Sequence, residues 1–393
     1  MSTTHYLIKF LHFVHSSLDQ RSPHAVLAAY IDLSKAFNRV DSNLVVQDLF
    51  DMHTPPWLLR IICSYLSGRS MVLTYNGAVS SRRELPGGIP QGAVLGGLVF
   101  MIKFNGAFLR PPISRPLTCK ANTVKFVDDG NIAVSIDMKT LLVSDHSSRP
   151  RPLQFHERTG HVLPRSNNLL QDYISELGKF TKDNNMIINK DKTTVMMFNR
   201  ARKWDFPPEV HFDNGQCLEL VERVKLVGIV ITENLRWEEN TNYLCEKARR
   251  KLWILRRMKG LNLNDAQMFD VYTKEVRSIL ELNVPVWHPG LSKKQSTRIE
   301  RIQKIALKII LGNNYVSYST ALQKMGAKRL QERRLDLCRK FAEKNLKSEH
   351  PLFELKHKVI QTRSKDLVKE FRCNTSRFQK SSLPFLSKML NAN

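Results

Sequence analysis

Three carboxylates stand out for where they sit. Asp32 ends the apolar run Ala25–Ile31, and Asp128 and Asp129 stand side by side after Thr123–Val127. Adjacent carboxylates repel, so a pair in an apolar segment calls for a compensating charge. A divalent cation can supply it. Two Mg²⁺ ions about 3.5–4 Å apart, bridged by aspartates, clamp the attacking and leaving oxygens of a phosphoryl transfer. Mg²⁺ leaves much of its shell to water and substrate phosphates, so two or three aspartates suffice. Taken by itself, Asp128-Asp129-Gly130-Asn131 reads more readily as a polar turn, because these residues form turns.

The flanking sequence has to place these groups. Ala25–Ile31 reads as a buried strand, and Leu33–Phe50 continues at helical spacing. Pro55-Pro56 breaks that pattern and Trp57–Leu66 starts another helix. Ser70–Tyr75 and Val79–Leu85 flank Asn76-Gly77, a pair suited to a type I′ hairpin turn. The loop Gly87-Gly88-Ile89-Pro90-Gln91-Gly92 feeds an apolar helix, Val94–Phe108. Thr123–Val127 and Ile132–Ile136 read as a second hairpin with the aspartates at its tip. Residues 138–168 read as a polar, proline-rich insertion. A helix over Asn168–Asp183 and strands over Met186–Ile188, Thr194–Phe198 and Val224–Ile231 follow. Beyond about residue 240 the spacing changes to long amphipathic helices, over Tyr243–Met258, Ala266–Leu282, Gln295–Ile310 and Arg329–Asn345.

Tyr30-Ile31-Asp32-Leu33-Ser34-Lys35-Ala36-Phe37, Gly88-Ile89-Pro90-Gln91-Gly92-Ala93-Val94-Leu95-Gly96 and Phe126-Val127-Asp128-Asp129 occur in that order. The ordered set resembles the palm of reverse transcriptases, particularly those of non-LTR (LINE-like) retrotransposons. Asn189-Lys190-Asp191-Lys192-Thr193 resembles the segment after the family's catalytic hairpin. Val224-Lys225-Leu226-Val227-Gly228 with Leu235-Arg236-Trp237 resembles its primer grip. The resemblance implies an α+β fold: a right-hand polymerase palm, an antiparallel sheet packed with helices, followed by an all-α thumb-like domain. It places a palm with partial fingers in residues 1–240, a basic thumb-like domain in 241–345 and a weakly patterned tail in 346–393.

It also implies roles. Asp32, Asp128 and Asp129 would be catalytic, with Asp32 and Asp128 holding Mg²⁺ (or Mn²⁺). Phe37 would select the incoming sugar by steric exclusion, Gln91 would touch nucleotide and template, and Lys192 would lie near the triphosphate. The partners implied are an RNA template, a DNA primer and a dNTP. Asn38 stands where the family usually has an aspartate, Ala93 where it has serine, Gly97 where it has proline, and Val127 where alanine is common. Only 31 residues precede Asp32, fewer than the family's fingers occupy, so the sequence reads as a truncated open reading frame. Two functional expectations stay open: an RNA-directed DNA polymerase domain, or a non-catalytic nucleic-acid-binding remnant of a retroelement. An interaction protein whose basic helices bind a protein or a membrane is a third.

The charge distribution bears on that choice. The net charge is +25, and it is uneven. Residues 1–240 hold 28 basic and 23 acidic side chains, whereas residues 241–393 hold 33 and 13, a net +20. Such an excess points to a polyanionic partner, with nucleic acid ahead of a membrane. Arg249, Arg250, Arg256 and Arg257 form a stripe on the first long helix and are the expected nucleic-acid contacts. Tyr243, Trp253, Tyr272 and Trp287 read mostly as core by spacing. His12 and His15 could face a metal but read better as an exposed helix face. No apolar run approaches the roughly 18 residues of a membrane span. Six scattered cysteines without a CxxC pair argue against disulfide or zinc-knuckle scaffolds and fit an intracellular setting.

Overall fold

In the computed structural model the described residues are 2–22, 24–85, 87–90, 92–108, 120–126, 129–137, 169–199, 209–261, 263–346, 359–361, 366–368 and 370–392. The expected insertion 138–168 lies outside them, as do Gln91 and Asp128. The fold mixes helices and sheet, in two compact units. One unit comprises residues 25–197 with 209–221. The other comprises the chain up to residue 24, residues 198–199 and everything described from Glu222 onward. The sequence reading grouped residues 1–24 with the 1–240 body; their contacts group them with the C-terminal helices.

The first unit is built on β1 (His24–Ile31), whose last seven residues are all buried. Such a strand reads as an unbroken apolar run, which is how AVLAAYI appears in the sequence. A short helix, Ala36–Arg39, follows, and then Ser42–Asp51. The continuous helical spacing of Leu33–Phe50 is thus interrupted. The physical reason is Asp41: its carboxylate accepts the Asn43 and Leu44 N–H groups and caps the second helix, while Val40 turns extended. Pro56–Leu66 forms the next helix. A small exposed arm follows, with β2 (Ser70–Met71) paired to β5 (Arg83–Glu84) and β3 (Thr74–Tyr75) to β4 (Ala78–Val79). Asn76 and Gly77 take φ of 47° and 81° at its tip, as the sequence predicts.

The helix Val94–Asn105 carries Val99, Phe100 and Phe104 into the core. Lys103, 3% exposed, ion-pairs with Asp48 at 2.8 Å. β6 (Lys120–Phe126) and β7 (Asp129–Asp137) pair antiparallel, with Phe126 opposite Asp129. Asp129, Gly130 and Asn131 are therefore strand residues rather than the hairpin tip. β8 (Thr194–Phe198) and β9 (Glu219–Leu220) complete a five-stranded sheet in the order β6-β7-β1-β8-β9. The β8–β9 pair is parallel, so the sheet is mixed rather than wholly antiparallel. Met186–Ile188, expected as a strand, contributes a single bridge, Ile188 to Leu33. The Leu169–Asp183 helix packs Leu170, Ile174 and Leu177 into the same core as Ala25, Leu27, Ala29 and Ile31.

The second unit is mainly helical. Val224–Ile231, read as one strand, folds as β10 (Arg223–Leu226) against β11 (Ile229–Thr232). Val227 and Gly228, at φ of 44° and 84°, form the turn. Long helices follow over Glu238–Lys259, Lys293–Leu311 and Leu330–Leu346. Asp265–Val271 continues through a π-helical turn, Tyr272–Arg277, into Ser278–Leu280. The N-terminal helix Thr3–Leu18 belongs to this unit. Thr3 and Thr4 donate hydroxyl hydrogen bonds to the Asn283 side-chain oxygen. Asp19 takes the Asn374 N–H and the Thr375 hydroxyl at 2.7 and 2.6 Å. The weakly patterned tail thus contains real structure: helices Ser376–Gln379 and Ser382–Asn391 bury Phe378, Leu383 and Leu386. His12 and His15 of the first helix are not exposed. His15 is buried, and His12 lies half-buried with its ring 5.1 Å from that of Phe371.

Candidate active site

Asp32 is the residue at which the buried strand β1 reaches solvent. Its side chain is 36% exposed. The turn Asn189–Thr193 is folded onto it by backbone contacts: the Asn189 N–H donates to the Asp32 carbonyl at 2.8 Å. The Asp32 N–H donates to the Thr193 hydroxyl at 3.2 Å, and Thr193 is fully buried. Ser34 N–H to the Ile187 carbonyl, 2.8 Å, extends the clamp. The turn brings Lys192 Nζ to 3.9 Å from Asp32 Oδ2. β7, which begins at Asp129, is hydrogen-bonded beside β1 in the sheet. The sheet thus places the strand bearing Asp129 next to the strand bearing Asp32.

Five residues after Asp32, Phe37 is held against Phe100 and the glycine loop. The Phe37 ring stacks on Phe100 with centroids 4.5 Å apart and planes 19° apart. The Ile89 N–H donates to the Phe37 carbonyl and the Gly88 N–H to the Val40 carbonyl. Gly88 has φ +81°, and a Cβ there would sit 3.0 Å from the Asn38 Cα and carbonyl oxygen. Only glycine suits both conditions. A Cβ at Gly96 would meet the Pro90 carbonyl oxygen at 2.3 Å, so the helix start and the loop approach as closely as backbones allow. Arg69 holds the loop from the other side, donating to the Leu66 and Gly87 carbonyls at 3.0 Å and also to that of Gly88.

Of the expected site residues in this unit, the structure describes Asp32, Phe37, Asp129 and Lys192; Asp128 and Gln91 lie outside the described residues. Thr193, quoted in the sequence only as the end of a motif, supports Asp32, and Arg69, which holds the glycine loop, was missed because a lone arginine carries no pattern. On β6, Lys125 is the lysine that burial perturbs among the described residues. Burial pushes its ammonium down to about 8, and it donates to the Asn105 carbonyl at 2.7 Å. The donor chemistry fits the implied metal. Asp32 offers hard carboxylate oxygens with solvent access for a hydrated ion.

The sequence profile described as reverse transcriptase (RNA-dependent DNA polymerase) matches residues 3–245. The chain belongs to the reverse transcriptase family. This reverse transcriptase chain is 21% identical over 300 residues to the Drosophila melanogaster protein named Probable RNA-directed DNA polymerase from transposon X-element. That match covers 75% of the chain and 29% of the relative. It is 21% identical over 241 residues to the RNA-directed DNA polymerase from mobile element jockey of the same organism, 60% of the chain and 23% of the relative. These matches agree with the LINE-like motifs of the sequence. The chain spans less than a third of these relatives' length. A telomerase from Candida albicans, solved with a fragment of telomeric RNA, aligns at TM-score 0.36 and 11% identity, covering 89% of this chain and 52% of that one.

The basic stripe lies in the other unit. Arg249, Arg250, Arg256 and Arg257 are all exposed on the Glu238–Lys259 helix. At about 100° per residue they share an arc of about 120°. Trp253 falls inside that arc and is 60% exposed, a correction to its reading as core. Tyr272 and Trp287 are fully buried, as their spacing predicts. Among the described residues no helix is long and apolar enough to cross a membrane.

Proposed function

We propose that this chain is the polymerase part of a retrotransposon reverse transcriptase, extending a DNA primer on an RNA template. The unit built on β1 would be the palm and the helical unit the thumb-like part. The observation that carries the reading is Asp32: a solvent-open carboxylate at the end of a buried strand, with Lys192 3.9 Å away and the Asp129-bearing strand alongside. Asp32 and Asp128 would hold Mg²⁺ (or Mn²⁺), with Asp129 completing the acidic set. The bound cation would lower the pKa of the primer hydroxyl and neutralise charge developing on the phosphate. Lys192, 3.9 Å from Asp32, would donate a proton to departing pyrophosphate. Phe37, fixed by its stack on Phe100, would exclude a 2′-hydroxyl, and Gln91 would contact nucleotide and template. The exposed arginines around Trp253 would hold the nucleic-acid backbone, with the indole free to stack on a base.

That same exposed cluster favours a second reading, a nucleic-acid-binding remnant without catalysis. Primer extension on poly(rA)/oligo(dT) with Mg²⁺ separates the two. Incorporation that vanishes in Asp32→Asn and Asp128→Asn, with RNA binding retained, is the expected result. RNA binding without incorporation in the parent chain would leave the binding reading standing. Full activity in either variant would remove the site assignment.

A further inference from the structure

A second cluster of metal-ligating side chains lies on a hairpin that the polymerase reading does not use. The Leu218 N–H donates to the Val210 carbonyl at 2.8 Å, and His211 bridges Cys217 antiparallel. The Phe212 N–H donates to the Gln216 carbonyl and that of Gly215 to the Phe212 carbonyl, which closes the turn. Val210, Phe212 and Leu218 are buried. Side chains alternate along a strand, so Glu209 and His211 share the outer face, and Cys217 stands opposite His211 on it. The carboxylate oxygen, imidazole nitrogen and thiol sulfur all lie within 4.8 Å of one another. Glu209 Oε2 is 3.5 Å from His211 Nε2. The main chain of His211 is locked at both ends: its N–H donates to the Gln171 side-chain oxygen at 2.7 Å, and its carbonyl accepts from the Gln171 amide at 2.8 Å.

We propose that Glu209, His211 and Cys217 form a surface site for Zn²⁺, with water in the fourth position. Zinc ligands sit about 2.0–2.3 Å from the metal in a tetrahedron, so neighbouring donors stand roughly 3.3–3.7 Å apart. The Glu209–His211 separation already meets that, and small rotamer changes bring the thiolate in. The mixed sulfur, nitrogen and oxygen set selects a softer ion than the all-carboxylate site at Asp32. Binding displaces the thiol proton to solvent and ties the two arms of the hairpin together just before β9, the edge of the sheet.

The test titrates the full chain with Co²⁺ and with Zn²⁺ under a phosphine reductant. Expected are a thiolate-to-cobalt charge-transfer band, its displacement by one equivalent of Zn²⁺, and a rise in thermal midpoint with Zn²⁺. Cys217→Ser and His211→Ala, both on the exposed face, should lose band and rise while keeping the metal-free far-ultraviolet spectrum. Cys63→Ser should keep both. Absence of the band in the parent chain overturns the proposal, as does its persistence in Cys217→Ser or its loss in Cys63→Ser.

Discussion

Among the described residues, the Asp32 carboxylate is engaged by an exposed lysine at 3.9 Å and by no other ion pair. Asp32→Asn is therefore expected to change stability by no more than about 0.5 kcal/mol, the range of surface substitutions. Its loss of incorporation would then be chemical, and a denaturation curve beside the extension assay checks this. Gly88 is the opposite case. Its φ of +81° and the 3.0 Å approach to Asn38 leave no room for a side chain. Gly88→Ala should cost about 1–3 kcal/mol in urea denaturation, and it should displace the loop that backs Phe37. An unchanged midpoint would show that the loop can move away from the Ala36–Arg39 helix freely.

At the scale of elements, the β10–β11 turn holds a conflict. A type I′ turn favours asparagine or glycine first, yet Val227 stands there at φ 44°. Val227→Asn should raise stability by about 0.5–1 kcal/mol, read from the denaturant midpoint. A fall would mean that the half-buried valine side chain packs too well to lose. The Glu238–Lys259 helix makes a different prediction. Each arginine on a phosphate adds about 0.7–0.9 to the slope of log K against log salt. Replacing Arg249, Arg250, Arg256 and Arg257 by alanine should flatten that slope by about 3 in an RNA-binding titration. Trp253→Ala should weaken binding by about 1–3 kcal/mol with the slope kept. A slope unaltered in the fourfold variant would place the interface elsewhere on this basic unit.

For the whole molecule, acid should be destabilising through two histidines of the helical unit. Burial, then the charges of Arg377 and His12, push His15 down to about 3. Burial, then Arg334, push His288 down to about 4. Unfolded histidines take up protons below the ordinary 6.5, while these two refuse them until far lower pH. The unfolded chain binds more protons in that window, so stability falls as pH drops from about 6.5 toward about 4, and for His15 toward about 3. Each contributes up to about 1.4 kcal/mol per pH unit. The urea midpoint should fall between about pH 7 and about pH 5 and fall less in His15→Gln. An identical fall in both would shift the cause to other groups.

The sequence by itself determined the parts whose signal is local. The run AVLAAYI had to be a strand buried on both faces, Asn76-Gly77 had to be a tight turn, and the 3.6-residue spacing beyond residue 240 had to make helices. The ordered motifs around Asp32 and Asp129 carried the family. Tertiary structure alone decided what depends on partners distant in sequence. Thr193 matters because the Asn189–Thr193 turn folds onto Asp32, more than 150 residues earlier. The first helix joins the C-terminal helices because Asp19 finds Asn374 and Thr375. Spacing put Trp253 in the core, but the packed face of its helix is carried by Leu244, Ala248, Leu252 and Leu255, which leaves the indole outside. Which face of an amphipathic helix is buried is set by the surface it meets, and neighbouring residues in the chain do not record that surface.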